Sequence, residues 1–204
     1  MLTVINPGHS ASDPGAIGPT RLMEAEVNLR VAHALLPRTG NGLIYRGQRQ
    51  PPGKRGLGIM LLALKTARPD LVLSIHCNGH EWRPGKCIHR AEAFYWVQDP
   101  DRTRRERSLA FAEHLAATAT GEPGYAETAM LKTFPVLRKR ADGSTYWLTP
   151  GVMRYGVRAA AMIELGYVSD PHVEAAMRTI EWVRKAAAAL DRALREFADT
   201  ITRA

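Results

Sequence analysis

Two short apolar runs, residues 2–5 and 71–75, carry leucine and β-branched side chains without alternation. Runs of that length predict buried strands in a sheet covered on two faces. Between them, apolar residues recur at 27, 31, 34 and 35, a helical spacing that begins near Glu24 and stops at Pro37. The same reading gives a helix over about 57–67, a strand over 91–97 and an alanine-rich helix over 108–120. A buried strand over 159–165 and one or two closing helices from Pro171 to about Thr200 complete the set. Strand and helix alternate, which predicts an α/β domain: a mainly parallel twisted sheet flanked by helices on both faces. Residues 121–151 interrupt the alternation with glycine, proline and basic residues, and are expected to form a functional or mobile loop.

Composition narrows the class. The chain has 204 residues, 45% of them apolar, and no linker-like stretch, so residues 1–204 are expected to form a single domain. No run of about 18 apolar residues occurs, and no membrane span is expected. The N-terminus lacks the basic, apolar and small-residue segments of a secretory signal, which points to synthesis in the cytoplasm. Cys77 and Cys87 are the only cysteines, too few for a disulfide-stapled scaffold. The net charge of +8 calls for an anionic partner. Nucleic acid is disfavoured, because no recognition motif accompanies the charge and the basic run from Arg102 to Arg107 holds no aromatic residue to stack on a base. That run reads as a solvated loop and helix start.

Each of the two apolar runs leads into a histidine, His9 after the first and His76 after the second. Open α/β sheets bind ligands beyond the carboxyl ends of their strands, where loops aim side chains inward. With Glu24, at or just before a helix start, the two imidazoles form the donor set of a catalytic zinc ion: three protein ligands and one open position. Glu164 lies in an otherwise apolar strand, where an unpaired carboxylate costs several kcal/mol and so marks a functional site. It is the expected catalytic base; the competing role is an ion pair with Arg154 or Arg158. Glu26 competes with Glu24 but points about 200° away on a helix and reads as a solvated first-turn acid. Cys77, His80, Cys87 and His89 fit no structural zinc spacing. In a strand Cys77 points opposite to His76, and a Cys77–Cys87 disulfide is not expected in the cytosol. His33, His114 and His172 read as surface residues. Tyr125, Phe134, Tyr146 and Trp147 either line a cleft or pack a small core. Gly53-Lys54-Arg55-Gly56 lacks the phosphate-loop pattern.

Three ordered motifs carry a family resemblance. The stretch from Asn6-Pro7-Gly8-His9 to Gly18, followed by Glu24, Asn28-Leu29 and Ala32, resembles the opening of the type-3 group of zinc-dependent N-acetylmuramoyl-L-alanine amidases. Ser74-Ile75-His76-Cys77-Asn78 resembles that family's strand-end Ser-Ile-His-x-Asn. Ile163-Glu164-Leu165-Gly166-Tyr167-Val168-Ser169-Asp170 resembles its Val-Glu-Leu-Gly-Phe-x-Ser-Asn. The chain departs from the family at Ser10-Ala11, where a Gly-Gly pair is frequent, and at Cys77, where a small residue is common. The resemblance implies that His9, Glu24 and His76 bind one zinc ion and that Glu164 is the catalytic carboxylate. It also implies the substrate, the amide joining N-acetylmuramic acid to L-alanine in peptidoglycan. With no secretion signal and a basic surface, the chain resembles a phage or prophage endolysin. Such an enzyme is expected to be a monomer made in the cytoplasm, released to the wall by a separate pore protein and held there on anionic envelope polymers. The competing functions are a zinc peptidase or other zinc amidohydrolase on a similar sheet, and a non-catalytic wall- or nucleic-acid-binding module.

Overall fold

The computed structural model describes residues 1–44, 64–79, 89–122, 124–133 and 155–203. Its six strands are β1 (Thr3–Pro7), β2 (Gly42–Ile44), β3 (Leu71–Asn78), β4 (Arg90–Tyr95), β5 (Thr128–Thr133) and β6 (Ala159–Tyr167). They form one sheet in the order β2-β1-β3-β6-β4-β5. All neighbours run parallel except β4 and β6, so β4 and β5 point against the other four. The alternation expected from the sequence is therefore right for the centre and reversed at one side. The β5 strand lies inside 121–151, read from sequence as loop; residues 134–151, with Phe134, Tyr146 and Trp147, lie outside the described residues.

The labelled helices are α1 (Glu24–Leu35), α2 (Arg102–Thr120), α3 (Pro171–Met177) and α4 (Ile180–Arg203). Glu24 and Glu26 open α1, where carboxylates suit the positive end of the helix dipole; Pro37 falls in the short 3₁₀ turn that follows. Helix α2 starts six residues before the expected position because Asp101 caps it, its side chain accepting from the Arg104 amide at 3.0 Å. The basic run is thus a helical first turn, anchored by Arg104 on the buried Asp99 at 2.6 Å. Asp170 caps α3, with Pro171 in the first turn, where no amide partner is needed.

One face of the sheet carries most of the core. Leu71, Leu73, Ile75 and Cys77 of β3 and Ala159, Ala161, Ile163 and Leu165 of β6 pack against α1, α2 and α4. Phe111 of α2 stacks on Phe197 of α4 with ring centroids 4.9 Å apart. On the other face a smaller cluster joins Val4, Val72 and Ala160 to Leu64 and Val157. Leu64 belongs to helical residues 64–67, the described end of the helix expected over 57–67. No helix among the described residues is long and apolar enough to cross a membrane.

Candidate active site

The carboxyl ends of β1, β3 and β6 meet at one edge, and the chemistry collects there. Strand β1 delivers Gly8 and His9, and β3 delivers His76. Glu24 arrives from the first turn of α1 after a compact loop that returns along its own path through bridges Ser10↔Asp13 and Ile17↔Met23. In β3 and β6, His76 and Glu164 are direct register partners, and across β6 Glu164 is in turn the partner of Glu92 in β4. Side chains in register share a face, so His76, Glu164 and Glu92 form one polar row across three strands.

His9, Glu24 and His76 each offer a ligand atom, and these atoms lie within 4.8 Å of one another. The Glu24 carboxylate is the centre: its Oε1 is 3.0 Å from His76 Nδ1 and its Oε2 3.3 Å from His9 Nε2. The backbone amide of Ala16 donates to Oε2 at 2.8 Å and that of Cys77 to Oε1 at 3.0 Å. The Asp13 carboxylate lies 3.5 Å from Nδ1 on the other side of the His9 ring. Two glycines make the convergence sterically possible. A Cβ on Gly8 would lie 2.2 Å from the His76 ring, and one on Gly15 would lie 2.3 Å from Glu24 Oε2. Gly15 also adopts φ +70°, and His9 itself sits at φ 61°, a conformation costing a non-glycine residue on the order of 1–3 kcal/mol.

Electrostatics agree with this packing. Burial alone would raise the Glu24 carboxyl, but the hydrogen bond and charge of His76, the Ala16 amide and the charge of His9 hold it below its ordinary value. Burial alone would lower His76, but its bond to Glu24 and the charges of Glu164, Glu24 and Asp13 raise it. The pocket therefore favours positive charge, and its two imidazoles and one carboxylate are a donor set suited to a divalent ion.

Glu164 is half-buried. Of its two expected ion-pair partners, Arg158 instead faces Asp70 at 3.9 Å, and Arg154 lies outside the described residues. Glu26 is exposed, as the helical geometry requires. Cys77 is a buried thiol on the helix-covered face, away from the polar row; Cys87 and His80 lie outside the described residues. Tyr125 packs edge-on against Trp182 in the core. His33 and His172 are exposed, whereas His114 is partly buried beside Phe197.

Several residues around the site escaped the sequence reading. Glu92 is fully buried and accepts from Arg90 at 2.7 Å, from the Tyr167 hydroxyl at 2.8 Å and from Asn78 at 3.1 Å. Burial and the bond to Glu92 push the Tyr167 phenol up, against Arg90, so it remains a donor. The argument that singled out Glu164, a carboxylate in a buried strand, applies equally to Glu92 and would have found it. Glu174 of α3 is buried and accepts from the backbone amides of Thr20 at 2.9 Å and Leu22 at 3.0 Å, fixing the loop that carries His9 into α1. A Cβ on Gly18 would strike that carboxylate at 2.5 Å. No local pattern links residues 20 and 174.

A single α/β sheet with a His-Glu-His cluster at its carboxyl edge and a carboxylate beside it defines a class of hydrolase. A sequence model of the N-acetylmuramoyl-L-alanine amidase family matches residues 3–196, and the chain belongs to that family. It is accordingly a hydrolase acting on peptidoglycan amides. A search of curated protein sequences finds no match. The fold is similar to that of the amidase AmiC2 of Nostoc punctiforme: TM-score 0.71 at 20% identity, covering 98% of this chain and 97% of that one. The amidase of Clostridium difficile 630 gives a TM-score of 0.70 at 19% identity, covering 97% of each. The catalytic domain of the CD27L endolysin, targeting Clostridia difficile, gives 0.65 at 14%, covering 96% of this chain and 97% of the other.

Proposed function

We propose that the chain is a zinc-dependent amidase that cuts between N-acetylmuramic acid and the L-alanine of the stem peptide, with His9, Glu24 and His76 as ligands and Glu164 as catalytic carboxylate. The observation that carries this reading is the approach of three ligand atoms to within 4.8 Å of one another, with Glu164 in register beside His76. Bound zinc would supply a Lewis acid for the amide carbonyl and lower the pKa of water. Glu164 takes a proton from the attacking water and returns it to the amine nitrogen as the C–N bond breaks. That leaves a lactyl carboxylate on the sugar and a new amino terminus on alanine.

Purified sacculi treated with the protein test the bond: new L-alanine amino termini support the reading, other termini indicate a peptidase, and none a binding module. Elemental analysis with chelation tests the metal. One zinc per chain and loss of activity on chelation, restored by zinc, are expected; an active metal-free protein would overturn the metal.

The same proposal extends to an endolysin role, with synthesis in the cytoplasm and monomeric action on the wall after release. The +8 charge supports it by offering attraction to anionic envelope polymers. Because such attraction is screened over about 8–10 Å at physiological salt, wall binding should weaken between low and moderate salt. Salt-independent binding in a sedimentation assay would remove the electrostatic part.

A further inference from the structure

Asn28 lies one helical turn after Glu24 on α1 and is fully buried. Its amide nitrogen donates to the Gly8 carbonyl at 3.2 Å and to Glu24 Oε1 at 3.4 Å. Both partners are acceptors only, so the NH₂ side of the amide must face them and the carbonyl side must turn the other way. There Oδ1 accepts from the Cys77 thiol at 3.3 Å. One side chain thus touches all three segments that carry the proposed ligands: the Gly8–His9 peptide, the Glu24 carboxylate, and the residue after His76. Each segment comes from a different part of the chain, and between them they make three hydrogen bonds to this amide.

We propose that Asn28 is the positioning residue that sets the spacing of the His9-Glu24-His76 cluster, and that the Cys77 thiol keys it by fixing which way the amide faces. The inference rests on the zinc-site reading above. Three features support it. Asn28 is fully buried, so a flipped amide would set its oxygen against a carboxylate and a carbonyl in a low-dielectric setting where that repulsion is strong. The Glu24 carboxylate already receives the Cys77 backbone amide, so Cys77 braces the same ligand twice, through its main chain and, by way of Asn28, through its side chain. Finally, Gly8 has the His76 ring against it, so any drift of the Gly8 carbonyl would move the surface on which that imidazole rests.

The test is zinc affinity of the apo-protein, measured by competition against a chromophoric chelator, with circular dichroism to confirm that each variant is folded. Asn28→Ala and Cys77→Ala should each bind zinc more weakly, Asn28→Ala by about 10- to 100-fold, the range for outer-shell partners of metal ligands, and Cys77→Ala by less. Cys77→Ser, which keeps a donor, should recover affinity towards the parent value, a rescue that a purely space-filling role for the thiol would not give. Should Asn28→Ala fail to fold, the Cys77 pair decides alone. Folded variants that bind zinc as the parent does would overturn the inference while leaving the zinc site intact. A parent protein that binds no zinc would instead remove the reading on which it rests.

Discussion

The two faces of the central strands are built from alternate residues of the same segments, yet they do different work. On the helix-covered face, Leu71, Leu73 and Ile75 of β3 and Ala159, Ala161, Ile163 and Leu165 of β6 are exposed by 2% or less. On the opposite face, Val72, Ala160 and Met162 are also buried, but towards the carboxyl ends the residues become Ser74, His76 and Glu164. Burial is spread along one whole face, and the candidate site is confined to the last rungs of the other. A period of two that holds up to the His76↔Glu164 rung keeps them apart: sliding β6 by one residue would bury Glu164 under the helices and turn Ile163 towards the site. The site can therefore vary in its last two rungs without touching the core.

Substitutions on adjacent residues should break this comparison if it is wrong. The largest effect is expected for Glu164→Gln, which keeps shape and removes proton transfer. Turnover should drop by about 10²- to 10⁴-fold, the usual worth of general acid–base catalysis, with zinc content and melting temperature unchanged. Retained turnover would take Glu164 out of the mechanism. Next to it, Ile163→Ala should do the opposite, costing about 2–5 kcal/mol in denaturant unfolding. Activity of the protein that remains folded in the cold should be nearly normal; a loss of turnover per folded molecule would show that the faces are coupled.

Glu174 offers a smaller and sharper probe, because it reaches from α3 to the loop of the polar face. Burial raises its carboxyl, but the Leu22 and Thr20 amides, the Thr20 side chain and Arg178 outweigh that and lower it below 4.5. A carboxyl lowered on folding stabilises the native state above its unfolded pKa, and that contribution disappears as pH falls through the folded value. Glu174→Gln should therefore cost about 1–3 kcal/mol at neutral pH. The gap from the parent should close as pH drops below about 4.5. A gap that stays constant in acid would mean that the Glu174 charge is not what holds the loop.

What could be read from the sequence was whatever declares itself locally. The apolar runs ending in His9 and His76 and the period of α1 marked β1, β3 and Glu24, and the apolar context of Glu164 set it apart. The reversal of β4 was invisible because a strand's residues encode burial, not direction, and only the descending register Glu92↔Glu164, Ala93↔Ile163 and Phe94↔Met162 reveals it. Strand β5 was hidden for a related reason: Thr128–Thr133 is an edge with lysine and threonine among its residues, which weakens the apolar signal. Asn28 stands within the opening motif, but its proposed positioning role needs Gly8 and Cys77 to come together from 20 and 49 residues away. The Glu174 brace spans 154 residues to Thr20 and has no sequence signature at all.

That brace has a consequence for how the enzyme is born. Synthesis runs from the N-terminus, so the loop bearing His9 leaves the ribosome before the carboxylate that fastens it, which lies 154 residues beyond Thr20. A polypeptide that stops between Glu164 and Glu174 thus carries every proposed ligand and the Glu164 carboxylate, yet lacks the tether that steadies the first of them. The fastening of the candidate cluster is thus made after every one of its members has been synthesised.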